Sequence, residues 1–230
     1  MTRRPRRRRA GSDMTTFYDE AQAVGPDAFA PGGLETGALD ARSADLLFRG
    51  AHTTYAFTDR PVTDADLAAV YDLLRFAPTA MITQPLRITF VRSPEAKARL
   101  LPHLAEGNRY KSESAPVVAI LSADLDFHEH LPRLMPHLPG ARDRFADDAQ
   151  REQAARFNAT LQAGYFIIAA RAAGLDAGPM GGFDKAGIDR EFLAGTAQRC
   201  LLVVNVGHAA EGGTFPRSPR LDQDEVVTTL

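Results

Sequence analysis

Apolar residues recur at helical spacing in "PVTDADLAAVYDLLRFAP", where Leu67, Val70 and Leu74 fall on one face. Thr63 stands three residues before Asp66, a spacing at which two side chains can cap the first turn of a helix reciprocally. The pattern therefore predicts an amphipathic helix that begins after Thr63 and ends at the proline that closes the stretch.

A longer helical pattern runs from Asp148 to Ala173, and Gly174 follows it, where a residue without a Cβ suits a helix end. Its second half, "AGYFIIAARAA", is apolar on nearly every side. Such a helix is typical of the centre of a domain or a dimer. Ser93 followed by Pro94 predicts the start of a further, shorter helix.

Three apolar runs of strand length predict a sheet: "RITFVRS", "APVVAILSAD" and "RCLLVVNVGH". The second run is uninterrupted, which predicts a central strand covered on both faces. Helices and strands follow one another in mixed order and without an internal repeat, which favours the α+β class. Residues 125–145 carry three prolines and predict a surface excursion or a short helical lid.

The length of 230 residues allows one full core but not two. Residues 1–38 include the basic run "RRPRRRR" and lack sustained periodicity. We interpret them as a flexible Arg-rich leader or a mis-assigned start, with Met14 as the true first residue. The folded domain is expected at residues 39–230.

Composition and charge exclude several classes of protein. The net charge of -2 gives no overall attraction to nucleic acid or to an anionic membrane, and the longest apolar runs are shorter than the roughly 20 residues that span a bilayer. The single cysteine, Cys200, lies in an apolar run and suits a buried position in a reducing cytoplasm. We expect a cytoplasmic protein, with nucleic-acid binding through the basic run as a further alternative.

Three loops carry side chains and main-chain groups suited to ligand binding. "FAPTAMITQPLR" presents polar groups between two prolines, although Ile82 does not fit that role. In "GPMGGFD", glycines allow main-chain N–H groups to approach a flat or anionic ligand, unless the segment is only a tight turn before a helix capped by Asp184. "RSPRL" holds Arg217 and Arg220 on a stiff segment that suits a phosphate, unless both are solvated surface arginines.

Other chemistries have little support in the sequence. The segment "FHEHLPRLMPHLPG" could supply His128, Glu129, His130 and His137 to zinc, but its prolines make the spacing irregular, and we expect no metal site. No nucleophile elbow, Walker A motif or dinucleotide-binding glycine motif is present. We assign no catalytic side chain.

These segments together resemble the nitroreductase superfamily of FMN-dependent oxidoreductases, and most closely its branch of malonic-semialdehyde (3-hydroxypropionate) reductases. The similarity runs from about Ala41 to Leu230 and includes "TQPLR", "HLAEGNRYKSESAPVVAI", "GPMGGFD" and "SPRL". The resemblance implies a nitroreductase-like α+β fold with a central mixed sheet flanked by helices. It also implies an intertwined homodimer with an FMN in each of two sites between the subunits, and NADH or NADPH as reductant.

The resemblance assigns four segments to flavin binding. The flavin ring would lie against residues 78–87, its N5 atom against residues 180–182, and its phosphate against the C-terminal arginines and the N-terminal motif "GAHTTYAF". The residues implied in cofactor binding are His52, Pro78, Thr79, Ile82, Gln84, Arg87, Met180, Gly181, Gly182, Arg217 and Arg220.

Two positions depart from the pattern of that family. His52 stands where the branch usually has arginine, and Ile82 stands where the ring loop usually has asparagine. Ile82 removes an amide that would hydrogen-bond the flavin ring, and His52 weakens a phosphate contact although it could still donate to the phosphate, so we expect weakened FMN binding. Two functions stay open: an oxidoreductase that passes hydride through flavin N5 to a small aldehyde, nitro, quinone or enone acceptor, and a flavin-poor homologue that binds another ligand or a partner.

Overall fold

The computed structural model describes residues 37–230, and the predicted leader lies outside these residues except for its last two. Short π and 3-10 turns occur at Asp45–Arg49, Ala80–Ile82, Leu101–His103, Phe127–His130 and Arg142–Phe145. The α-helices of the described chain are α1 (Ala41–Ala44), α2 (Asp64–Leu74), α3 (Pro94–Leu100), α4 (Glu106–Ser114), α5 (Leu131–Leu134), α6 (Asp148–Ala172), α7 (Lys185–Phe192) and α8 (Gln223–Val226). The strands are β1 (Leu86–Val91), β2 (Val117–Asp124), β3 (Asp176–Met180) and β4 (Gln198–Gly207).

The four described strands form one sheet in the order β1-β2-β4-β3. Every neighbouring pair is antiparallel, and Ile120 lies between Thr89 of β1 and Val203 of β4. The expected α+β class is confirmed, but the expectation of a mixed sheet is wrong for the strands described. The apolar run of β2 correctly indicated cover on both faces, and that cover is compatible with either strand direction.

All eight residues of β2 are buried, as its uninterrupted apolar run predicted. One face, which includes Leu121, packs with α2 and with Phe166 of α6. The other face, which includes Ile120, packs with Leu100 of α3 and Ile188 of α7. Because side chains alternate between the faces of a strand, this one strand joins two helical layers. None of the described helices is long and apolar enough to cross a bilayer.

The helix ends follow the predicted signals closely. Thr63 Oγ1 accepts a hydrogen bond from the Asp66 amide at 3.2 Å, and Asp66 Oδ2 accepts one from the Thr63 amide at 2.7 Å. This is the predicted capping box at the start of α2. The long helix α6 is followed by Gly174 with φ +80°, a left-handed conformation that glycine adopts without strain.

The strand β3 was missed in the sequence, where Gly178 and Pro179 predicted only a turn. The segment pairs with β4 from Asp176 to Met180. Proline is tolerated here because β3 is an edge strand of the described sheet and Pro179 has no N–H to leave unpaired. The irregular excursion predicted for residues 125–145 is confirmed as α5 flanked by two 3-10 turns.

The N-terminal segment of the described domain lies against β3 and the segment that follows β4. Thr54 bridges to Thr214, and Phe57 bridges to Ala209. The Thr54 amide donates to the carbonyl of Ala177 at 3.1 Å. Gly178 permits this approach, since a Cβ at that position would overlap the carbonyl oxygen of Thr54.

We therefore expect Gly178→Ala to lower the free energy of unfolding by about 1 to 3 kcal/mol, because the added methyl group must displace main chain rather than a flexible side chain. Urea denaturation followed by circular dichroism measures the change. Gly107→Ala is the matched control, since an added Cβ there meets nothing within 4 Å. An equal loss of unfolding free energy in both variants would contradict the close approach of Gly178 to the Thr54 carbonyl group.

Candidate functional site

A cavity of about 450 Å³ lies between the N-terminal and C-terminal segments of the domain. Two segments that are distant in sequence, residues 51–55 and 215–220, form its walls. We call it the cationic pocket, because its lining carries two guanidinium groups and an imidazole but no carboxylate. Its lining residues are Ala51, His52, Thr53, Tyr55, Phe215, Pro216, Arg217, Ser218 and Arg220.

The cations of this pocket are held by main-chain carbonyl groups. Arg217 Nη2 donates to the carbonyl oxygens of Arg49 at 2.7 Å and Ala51 at 2.6 Å, which ties the two walls together. Arg220 Nη1 donates to the carbonyl oxygen of Ser218 at 2.8 Å. A guanidinium has five N–H donors, so both groups keep donors for a ligand.

His52 belongs to the same pocket, and its Nδ1 lies 3.1 Å from the carbonyl oxygen of Phe215. A carbonyl oxygen only accepts hydrogen bonds, so Nδ1 must carry the proton in this contact. The other nitrogen, Nε2, is then an acceptor in the neutral ring. His52 can therefore donate to an anion through Nε2 only when the ring is protonated, whereas an arginine would donate at any physiological pH.

A second cavity, of about 260 Å³, adjoins the first and shares Thr53 and Tyr55 with it. We call it the glycine pocket. A Cβ added at Gly181 would meet nothing within 4 Å, so the main chain there is open to a ligand. Its lining residues are Thr53, Thr54, Tyr55, Asn108, Lys111, Gly178, Pro179, Met180, Gly181 and Gly182.

Two residues of the glycine pocket, Asn108 and Lys111, were not predicted from the sequence. Asn108 Nδ2 donates to the carbonyl oxygen of Gly182 at 3.0 Å, and Lys111 Nζ donates to Asn108 Oδ1 at 3.1 Å. The Lys111 ammonium also lies 4.5 Å from the centre of the Tyr55 ring. Their spacing of three residues, in "GNRYK", places both on one face of α4, which is the signal that could have identified them.

Buried polar atoms without a partner lie beside this pocket. Thr54 Oγ1 and Asn205 Nδ2 have no hydrogen-bond partner among the described residues. Asn205 Oδ1 accepts from Ser112 Oγ at 3.0 Å, and the same hydroxyl lies 3.9 Å from Met180 Sδ. The floor of the glycine pocket is therefore polar beneath its methionine.

The segment Pro78–Arg87, which we call the ring loop, has an unusual backbone. Met81, Ile82 and Gln84 have φ values of +54°, +52° and +40°. Such values are rare for residues with side chains, and for a β-branched residue they indicate strain. Neighbouring contacts hold the conformation, since Asn158 Oδ1 accepts from the Ala80 amide at 2.8 Å and Thr79 Oγ1 accepts from the Gln84 amide at 3.3 Å.

Arg87 is tied to the protein itself. It forms an ion pair with Asp124 at 2.6 Å and donates to the carbonyl oxygens of Gln84 and Leu86 at 3.0 and 2.9 Å. Gln84 and Arg87 line a third cavity, of about 480 Å³, at β1. In this chain Arg87 thus stabilises the end of the ring loop.

The ring loop and the glycine pocket lie at opposite edges of the sheet within one chain. The ring loop leads into β1, whereas Met180 ends β3, and two strands separate them. At about 4.8 Å between neighbouring strands, these edges are about 14 Å apart. The cavity of the ring loop shares no lining residue with the other two. One chain therefore brings His52, Arg217 and Arg220 together beside Met180, Gly181 and Gly182, but not the residues of the ring loop.

The histidines considered for zinc do not converge. Glu129 accepts two hydrogen bonds from Arg142, at 2.8 and 2.7 Å, and this contact lowers the pKa of its carboxyl group. His130 lies 4.0 Å from Asp124. In residues 37–230, no group of three or more potential ligands could hold a metal ion.

Comparison with known proteins identifies the family. Residues 48–208 match the nitroreductase family. The chain belongs to the nitroreductase family. A relative from Streptomyces coelicolor, provisionally named NADH dehydrogenase/NAD(P)H nitroreductase, is 56% identical over 193 residues, which are 84% of this chain and 98% of that relative. A relative of the same name from Leptothrix cholodnii is 53% identical over 196 residues, 85% of this chain and 100% of its own length.

A solved structure supports the fold. The crystal structure of a provisionally named nitroreductase from Exiguobacterium sibiricum, in complex with FMN, superposes with a TM-score of 0.71 at 21% identity, over 84% of this chain and 98% of that chain. The expected nitroreductase-like fold is thus confirmed, and family membership makes this nitroreductase an oxidoreductase. The matches identify the family and not the malonic-semialdehyde branch.

The single cysteine of this nitroreductase is set apart from the site. Cys200 is 1% exposed, and burial, with a smaller contribution from Asp189, raises the pKa of its thiol to about 12. We expect the native protein at about pH 8 to resist a thiol reagent such as DTNB, because the thiol is buried and its raised pKa keeps it protonated. Absorbance of the released thiolate measures the reaction, and the unfolded protein is the control. Full labelling of the native protein within minutes would show that Cys200 is not buried and protonated.

Proposed function

We propose that this nitroreductase-family protein is an FMN-dependent NAD(P)H oxidoreductase that passes hydride to a small organic acceptor. The observation that carries the proposal is the junction of the two cavities, one cationic and one lined in part by glycine main chain, which share Thr53 and Tyr55. A molecule with an anionic end and a planar end matches that junction. FMN has this form, and it is the ligand of the Exiguobacterium sibiricum protein.

The cationic pocket fits the phosphate. Arg217 and Arg220 are each fixed by carbonyl groups and keep N–H donors, a geometry that favours charge-assisted hydrogen bonds to phosphate oxygens. His52 would add a donor when protonated. Because no carboxylate lines the pocket, an anion meets no like charge in it.

The glycine pocket fits the flavin ring. Gly181 leaves the main chain open to a flat ligand. Lys111 donates to Asn108, and in this proposal its positive charge would lie beside the ring. Bound FMN would supply the redox chemistry, by taking hydride from NADH or NADPH at N5 and passing it to the acceptor. The residues of the chain would bind and orient the cofactor, and the proton that completes reduction of the acceptor would come from solvent, so we name no catalytic acid.

The acceptor is proposed only by chemical class. Nitro, quinone and enone compounds are candidates, and so is an aldehyde such as malonic semialdehyde, the substrate of the branch that the sequence resembles. An aldehyde is a poor acceptor for reduced flavin, which favours the first three. We also propose a cytoplasmic location, in keeping with the single, buried cysteine.

A second copy of the chain would complete the site. Within one chain the ring loop lies at the opposite edge of the sheet from the glycine pocket, which supports a role for the ring loop in the flavin site of a partner. An apolar stripe on α6 is exposed at Phe157 (64%), Leu161 (42%) and Tyr165 (43%), with one helical turn between neighbours. We propose that this stripe packs against a second copy in a homodimer.

The first experiment measures FMN binding to the purified full chain by quenching of flavin fluorescence, followed by oxidation of NADH or NADPH with nitro, quinone and enone acceptors. We expect saturable FMN binding and acceptor-dependent oxidation of the nicotinamide cofactor. A colourless protein whose melting temperature does not respond to saturating FMN would refute the proposal. That outcome would favour the flavin-poor homologue that binds a different ligand.

Ile82→Asn tests the ring loop. Asparagine tolerates positive φ better than isoleucine, so we expect the free energy of unfolding without flavin to rise by up to about 1 kcal/mol. If residue 82 faces the flavin, the new amide should also tighten FMN binding by about tenfold or more, the value of one recovered buried hydrogen bond.

Ile82→Val is the control for the ring loop, because it keeps the β-branch and adds no amide. Urea denaturation and FMN titration of the three proteins separate the two effects. Unchanged or weaker FMN binding by Ile82→Asn would show that residue 82 does not face the flavin.

A further inference from the structure

Arg171 is a buried cation that neither the sequence pattern nor the family assignment singles out. It lies in the last turn of α6 and is 8% exposed. Burial lowers the pKa of its guanidinium group, Asp176 opposes that shift, and the nearby charge of Arg217 adds to it. Because burying a charged group carries a desolvation penalty, a buried guanidinium usually has a structural or binding role.

The contacts of Arg171 lead to both walls of the cationic pocket. Its Nη2 donates to the carbonyl oxygen of His52, in the N-terminal wall. Its Nη1 lies 3.6 Å from Asp176 Oδ1, and Asp176 Oδ2 accepts from the Ala209 amide at 2.8 Å, at the start of the segment that leads to the C-terminal wall. One planar group thus fixes the main chain that carries His52 and, through Asp176, the chain that leads to Arg217.

Arg171 also affects the charge of the pocket. The contact with the His52 carbonyl group and the ion pair with Asp176 use only some of the five N–H donors of its guanidinium group. Asp176 is the one carboxylate paired with it among the described residues. Arg171 and Arg217 repel each other, and an anion bound in the cationic pocket relieves that repulsion.

We propose that Arg171 is a positioning residue that gives the cationic pocket its selectivity for a phosphate-bearing flavin over the same flavin without phosphate. It acts by holding the His52 main chain in register with Arg217 and by keeping the pocket positive. Lysine would keep the positive charge but not the positioning, because an ammonium group lacks the planar fork that reaches His52 and Asp176 together. The inference rests on the proposed function.

The experiment compares the dissociation constants of FMN and riboflavin for the wild-type protein, Arg171→Lys and Arg151→Lys. Arg151 is the matched control: it lies on the same helix, its side chain is 17% exposed, and it donates to the carbonyl oxygens of Leu125 and Phe145. It is 20 residues from Arg171 along α6, about 30 Å. Flavin fluorescence measures binding, and circular dichroism measures folding.

We expect wild type to bind FMN more tightly than riboflavin, and Arg171→Lys to lose about tenfold or more of that preference, as a weakened charge-assisted contact predicts. The riboflavin affinity of Arg171→Lys should stay within about threefold of the wild-type value. The preference of Arg151→Lys for FMN over riboflavin should also stay within about threefold of the wild-type preference. A preference that survives in Arg171→Lys, or equal losses for both flavins, would overturn the role of Arg171. Failure of wild type to bind either flavin would instead refute the proposed function.

If Arg171→Lys does not fold, Asp176→Asn supplies the same comparison. The amide oxygen can still accept from Ala209, but the ion pair with Arg171 is lost. We expect a smaller loss of the preference for FMN, with riboflavin binding unchanged, because the lost positioning of Arg171 outweighs the negative charge that the variant removes. An unchanged preference in this variant would count against the role of the Arg171 and Asp176 pair.

Discussion

The antiparallel pairing of β2 with β4 is the constraint on which the site depends. These two strands occupy the middle of the sheet and bury side chains on both faces, so β1 and β3 take the edges. The ring loop precedes β1, and the glycine pocket follows β3. The core fixes that separation, which is why we propose that one ligand contacts both where two copies of the chain meet. The homodimer that we propose follows from the order of the strands together with the exposed stripe on α6.

The walls of the cationic pocket are joined by main-chain contacts as well as by side chains. The Tyr55 amide donates to the carbonyl oxygen of Gly213 at 2.7 Å, and Thr54 bridges to Thr214. Arg217 then donates to carbonyl groups of the opposite wall. The main-chain contacts between residues 54–55 and 213–214 do not depend on the side chain at position 52. The side chain at that position therefore alters the charge available to a ligand while these contacts still join the walls.

Local signals in the sequence predicted most of the fold. The capping box at Thr63, the helix end at Gly174 and the central position of β2 each depend on neighbouring residues or on a continuous apolar run, and each was confirmed. β3 was missed because Gly178 and Pro179 are poor strand formers, and only its contact with Thr54 explains the glycine. The prediction of a mixed sheet was wrong for the described strands, because burial of a strand on both faces does not determine whether its neighbours run parallel or antiparallel to it.

The candidate site was less predictable, because its residues come from segments that are distant in sequence. Asn108 and Lys111 join the glycine pocket through Gly182, and Arg171 acts through a main-chain carbonyl rather than through a motif. The sequence did identify Ile82 as unusual, but not its positive φ. That conformation is imposed by Asn158 and Thr79, which hold the flanking amides.

The shape of the ring loop therefore does not require asparagine at position 82. Neighbouring side chains fix its backbone, so the main-chain groups of the loop keep their positions although Ile82 can donate no hydrogen bond. The loss of one amide contact is bounded by the free energy of a single buried hydrogen bond, about 1 to 3 kcal/mol. The cationic pocket offers two guanidinium groups for charge-assisted contacts, each of which is stronger than a neutral hydrogen bond. In the proposed FMN site, phosphate recognition would thus retain the cofactor even if Ile82 weakened recognition of its ring.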